Sequence, residues 1–68
     1  MPKCLSSAEV VRILTDHDFS FVSQKGSHQK FRAPSGRVVI VPAGRREIPV
    51  GTILSIIKQS GLDRTLFS

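Results

Sequence analysis

Residues 24–41 read QKGSHQKFRAPSGRVVIV, and the two turns inside this stretch decide the fold. Gly26 punctuates the first. Ala33-Pro34-Ser35-Gly36 makes the second, with proline presetting φ and glycine free to adopt φ > 0. Residues 28–32 lie between the turns, residues 37–41 follow, and residues 19–24 carry Phe19, Phe21 and Val22 ahead of them. Three strands joined by short turns predict an antiparallel meander.

Side chains on a strand alternate between faces. In residues 28–32, His28, Lys30 and Arg32 therefore share one face, and Gln29 and Phe31 the other. Phe31 is the core residue, so His28 sits outward with two cations. A four-residue turn at 33–36 pairs Arg32 with Arg37, Phe31 with Val38 and Gln29 with Ile40. On that register Val38 and Ile40 join Phe31 inside, and Arg37 adds a third cation outside. In the first hairpin a three-residue loop, Lys25-Gly26-Ser27, sets Phe21 beside Phe31 and buries both Phe19 and Phe21. A two-residue loop would put both aromatics out with His28.

Helices flank the meander. Ser6-Ser7-Ala8-Glu9 is a capping box, and Val10, Ile13, Leu14 and His17 follow at helical spacing, predicting a helix over residues 7–16. His17 falls at its end, where a cation suits the helix dipole, and reads as structural. Val50, Ile53, Leu54 and Ile57 repeat at helical spacing up to Gly61, a C-terminal cap glycine. Residues 42–49 form a loop holding Arg45, Arg46 and Glu47. In the tail, Asp63 caps a short turn from which Leu62, Leu66 and Phe67 pack back. The order is α-β-β-β-α, an α+β fold with both helices on one face of a three-stranded antiparallel sheet.

At 68 residues the chain reads as a single domain, residues 1–68, without repeats or linkers. So small a core supplies a few kcal/mol, and a stabilising partner is expected. The one cysteine, Cys4, can form no internal disulfide, which fits a reducing cytoplasmic setting. The longest apolar run is far short of the roughly 20 residues a bilayer requires, and no secretory signal pattern is expected.

Charge is unevenly placed. Ten Lys and Arg oppose five Asp and Glu, a net of +5. No acid lies between Phe19 and Arg46, yet Lys25, Lys30, Arg32, Arg37, Arg45 and Arg46 all do. A charge run is often only a solvated face. Cations without interleaved anions in a small domain favour a polyanion, nucleic acid first and an acidic protein second.

A histidine beside a turn is, by position alone, an ordinary surface residue. A functional reading needs a reaction that one imidazole and several cations can run. RNA cleavage qualifies, because the 2′-hydroxyl attacks its own phosphodiester and needs only proton transfer and charge stabilisation. An imidazole suits the first task; Lys30 and Arg32 suit the second. The scattered carboxylates do not suggest a metal site, and no cofactor motif is present.

These residues also resemble a known family. Gly26-Ser27-His28, Gly36-Arg37, Val41-Pro42, Pro49-Val50-Gly51-Thr52 and residues 56–62, IIKQSGL, stand in the order seen in HicA-type (YcfA-like) toxins of type II toxin-antitoxin systems. The likeness spans nearly the whole chain. It implies a double-stranded-RNA-binding-domain-like fold, cleavage of mRNA by His28, and a HicB-type antitoxin masking the His28 face. Lys25, Ser27, Lys30, Arg32, Arg37, Arg45 and Arg46 are the expected RNA-binding residues. The loop AGRREIP, with two arginines and Ile48, departs from the family pattern and bears on substrate preference and antitoxin contacts. The competing reading is a non-catalytic RNA-binding module of the same fold, which recognises shape through cations. The helix start at residues 49–52 lacks the cations such a module would use.

Overall fold

The computed structural model of the chain describes residues 4–68, so residues 1–3 of the expected domain lie outside the described residues. The elements run α1 (Ser7–Asp16), β1 (Ser20–Lys25), β2 (His28–Arg32), β3 (Val38–Pro42), α2 (Val50–Ser60) and a 3₁₀ turn at Arg64–Phe67. The strands form one antiparallel sheet in the order β1-β2-β3. This is the α-β-β-β-α plan the sequence predicts, consistent with a dsRBD-like α+β fold.

Local chemistry explains both ends of α1. The Ser6 hydroxyl accepts from the Glu9 amide at 3.1 Å, and the Glu9 carboxylate accepts from the Ser6 amide at 3.0 Å. At the other end Asp18 takes φ 71, which lets the Phe19 amide turn back and donate to the Leu14 carbonyl. This reversal, with an apolar contact between the residues it joins, stops the helix and drops Phe19 into the core. His17 donates from Nδ1 to the Ile13 carbonyl at 2.8 Å, the structural role expected of it.

Val10 and Leu14 of α1, Phe31, Val39 and Val41 of the sheet, and Ile53 and Ile56 of α2 are buried in one cluster. Leu5, Ile48 and Phe67 close it. Burying a side chain of this size contributes roughly 1.5–3 kcal/mol, so the three closing residues matter as much as the strands. Phe67 is held by the tail: the Asp63 carboxylate accepts from the Thr65 amide and caps the turn. Leu62 is partly buried beside it, whereas Leu66, expected to pack back, stays exposed.

The register departs from expectation in both hairpins. The second is closed by the Ala33 amide on the Arg37 carbonyl and the Gly36 amide on the Ala33 carbonyl, with Gly36 at φ 93. That leaves a three-residue connection, so Phe31 faces Val39 and Gln29 faces Val41. A one-residue slip turns every side chain to the opposite face. Val39 and Val41, not Val38 and Ile40, are therefore the core residues, and Ile40 is 39% exposed. Arg37 moves off the outer face for the same reason.

In the first hairpin the loop is Gly26-Ser27 alone, with Lys25 opposite His28 and Gly26 at φ 59, as a type II′ turn requires. A bulge between Phe21 and Ser23 then shifts the register and restores Phe21 opposite Phe31. The rings meet edge to face at 5.8 Å. Yet Phe21 is 54% exposed, against the burial expected of it. The helices pack on β3, at the far side of the sheet, and β1 lies beyond their cover.

Candidate active site

His28 opens β2 directly after the Gly26-Ser27 loop, exposed, with Lys25 and Pro42 as its cross-strand neighbours. Lys30 pairs with Ser23 and Ile40, and Arg32 with Ser20 and Val38. Alternation places Lys25, His28, Lys30 and Arg32 on the same outer face of the sheet. The grouping of His28 with Lys30 and Arg32 stands as the sequence predicts, with Lys25 added as a strand residue. Ser27 sits in the turn, its carbonyl accepting from the Ala43 amide at 2.6 Å, which ties the His28 turn to the end of β3.

Beside this face runs an open groove of about 560 Å³. Its floor is His28, Ile40 and Pro42 from the sheet, Arg45 stands at one end, and Thr52, Ser55 and Gln59 of α2 form a wall. Those three helix residues recur on one face at a 3.6-residue period, beside the buried Ile53 and Ile56 stripe. The wall begins at an uncapped helix end. Pro49 supplies no side-chain cap, the first turn holds no acid, and the first helical bond is the Ile53 amide on the Pro49 carbonyl. Amides without helical acceptors, at the positive end of the helix dipole, therefore border the groove.

Arg45 is placed by a clamp at the other end of the chain. The buried Ser7 hydroxyl donates to the Pro42 carbonyl at 2.5 Å and accepts from the Arg45 amide at 2.9 Å, while the Ser7 amide donates to the Arg45 carbonyl. Next to it the Ile48 amide donates to the Leu5 carbonyl at 2.7 Å, an isolated antiparallel bridge. Arg46 follows on the same loop but faces a second hollow, with Gln29, Ala43 and the start of α1.

The structure thus gathers Lys25, His28, Lys30 and Arg32 on one face, joins His28 to Arg45 across the groove, and leaves Arg46 to one side. Arg37 is elsewhere. Its guanidinium donates to the Gln59 carbonyl at 3.3 Å, against the negative end of α2. Sequence reasoning missed the clamp at Ser7 and the polar stripe of α2. Thr52, Ser55 and Gln59 were legible as a stripe by spacing, but neutral polar residues flanking an apolar stripe look like any solvated helix face.

Among the described residues no three of His, Cys, Asp and Glu come together as a set able to hold a metal ion. Nor is any described helix long and apolar enough to cross a membrane.

A small basic sheet flanked by two helices, with one histidine on its cationic face, defines a compact α+β domain. Residues 7–62 match the family described as "HicA toxin of bacterial toxin-antitoxin". The chain belongs to that HicA toxin family, and so to the toxins of bacterial toxin-antitoxin pairs. Among curated proteins none matches it.

Proposed function

We propose that the chain is a metal-independent endoribonuclease that cuts mRNA and thereby inhibits translation. The observation that carries this reading is the position of His28, exposed on a face with Lys25, Lys30 and Arg32 and at the floor of a groove ended by Arg45. An RNA strand laid in the groove brings a 2′-hydroxyl to His28. The imidazole takes the 2′-hydroxyl proton as the 2′-oxygen bonds to phosphorus, and the bond to the 5′-oxygen breaks as that oxygen takes up a proton from solvent, to which the imidazolium returns its own. The products are a 2′,3′-cyclic phosphate and a free 5′-hydroxyl, with no redox change and no water consumed. Lys30 and Arg32 meet the charge that builds on the phosphoryl oxygens. Lys25, Ser27, Arg45 and Arg46 hold the flanking backbone, and the uncapped start of α2 adds an electropositive border. Arg37, committed to the end of α2, is left out of this set.

The same cationic face is the surface for the antitoxin, a HicB-type protein that presents acids to it and covers His28 in a cytoplasmic complex.

The test uses purified protein and single-stranded RNA in EDTA. Wild type cuts; His28→Ala loses roughly 10²-fold or more in rate, the usual worth of a proton-transfer group. The variant keeps its melting temperature and its RNA affinity, since surface changes stay within about 0.5 kcal/mol. An absolute need for a divalent metal, or near wild-type cutting by His28→Ala, sinks the mechanism.

A further inference from the structure

Gln59 carries two bonds of different kinds, and together they leave one part of it unused. Its backbone carbonyl accepts from Arg37, and its side-chain Oε1 accepts from the Ile40 amide at 3.1 Å. Ile40 lies on β3, the outer strand on this side of the sheet, so its amide has no strand partner and Gln59 closes that edge. An N–H donor admits only an oxygen, which settles how the side-chain amide is turned. Nε2 is then a two-proton donor with no acceptor of its own, on a residue that walls the groove with His28.

We infer that Gln59 is a substrate-contacting residue, whose side-chain amide donates to an oxygen of the nucleotide held against His28. The inference rests on the RNA-cleaving reading above. With Oε1 turned to the Ile40 amide, the group that Gln59 offers a ligand is the Nε2 donor. That donor takes acceptor oxygens, on a phosphoryl group or a base carbonyl. It is neutral, so unlike the neighbouring cations it contributes no counterion release. Its tether to the sheet edge fixes where the donor stands relative to His28.

The experiment measures affinity for uncleavable 2′-O-methyl RNA oligomers of differing sequence, with melting temperature, for wild type, Gln59→Glu and Gln59→Met. Glutamate keeps an acceptor for the Ile40 amide but loses the donor; methionine keeps the size and neutrality but loses both. Gln59→Met is expected to bind about 3- to 10-fold more weakly, the worth of one neutral hydrogen bond, and Gln59→Glu at least as weakly, since its charge also repels phosphate. Gln59→Met leaves the salt slope unchanged. A loss uniform across sequences assigns the phosphoryl oxygen; a loss confined to one base assigns a base carbonyl. Wild-type affinity in Gln59→Met overturns the inference. So does weakening in Gln59→Met alone, which makes Gln59 only an edge clamp. A wild-type protein that binds no RNA overturns the RNA reading itself, and this inference with it.

Discussion

Arg37 occupies the space that a side chain at Gly61 would need: a Cβ built on Gly61 lies 2.6 Å from the Arg37 Cζ and 2.8 Å from its Nε. Gly61 also takes φ 70, donating to the Ile57 carbonyl as it ends α2. Gly61→Ala therefore meets two penalties, left-handed strain of about 1 kcal/mol and displacement of the guanidinium. In an Arg37→Ala background the second disappears. Thermal melts of both singles and the double close the cycle; equal costs of Gly61→Ala in both backgrounds would show that the guanidinium swings aside freely.

Ser7 offers a sharper case, because its buried hydroxyl serves two partners. Ser7→Ala leaves the Pro42 carbonyl and the Arg45 amide unanswered, at about 1–3 kcal/mol. The Arg45 loop loosens with them. RNA affinity is expected to fall at temperatures where the variant is still fully folded, and affinity unchanged in the folded variant would mean the clamp is not what places Arg45.

Arg45 and Arg46 differ in setting, and salt titration reads both. Each phosphate contact on single-stranded RNA contributes about 0.7 to the slope of log affinity against log salt. Arg45→Ala with Arg46→Ala is expected to weaken binding across all sequences and to flatten that slope. Arg45→Ala alone takes the larger share, since only Arg45 reaches the His28 groove. An unchanged slope in the double variant removes the loop from the interface.

Asp63 supplies the pH prediction. The Thr65 backbone amide, and then its hydroxyl, hold the Asp63 carboxyl below the usual aspartate range. A depressed folded value means the carboxylate favours the folded state above the unfolded pKa, near 3.9, and that this contribution is lost as pH falls through the lowered value. Asp63→Asn is expected to lower the melting temperature at neutral pH and to converge on wild type in strong acid. Parallel curves at every pH would show that Asp63 does not couple the tail to protonation.

Much of this was legible in residues 24–41 because turns and alternation are local. Gly26 and Gly36 punctuate the chain whatever the rest does, and His28, Lys30 and Arg32 share a face under any register. Which face Val38 or Val39 takes depends on a single hydrogen bond at Ala33, and Ala-Pro-Ser-Gly accommodates either closure. The bulge at Val22 had no sequence signal, since nothing about Val22 marks it as an inserted residue. Phe21 was misplaced for a different reason: hydrophobicity says that a ring prefers burial, not whether a helix reaches far enough to cover it. The Ser7 clamp and the Leu5–Ile48 bridge join residues distant along the chain, which pattern reading does not pair.

That bridge has a bearing on how the protein is made. The loop that carries Arg45 is pinned by Leu5 and Ser7, which emerge ahead of the sheet, and the groove wall is α2, which emerges after it. A ribosome that has released residues 4–42 has produced the His28 strand but neither the arginine loop nor the wall. The groove beside His28 comes into being only once α2 has followed the sheet out of the ribosome.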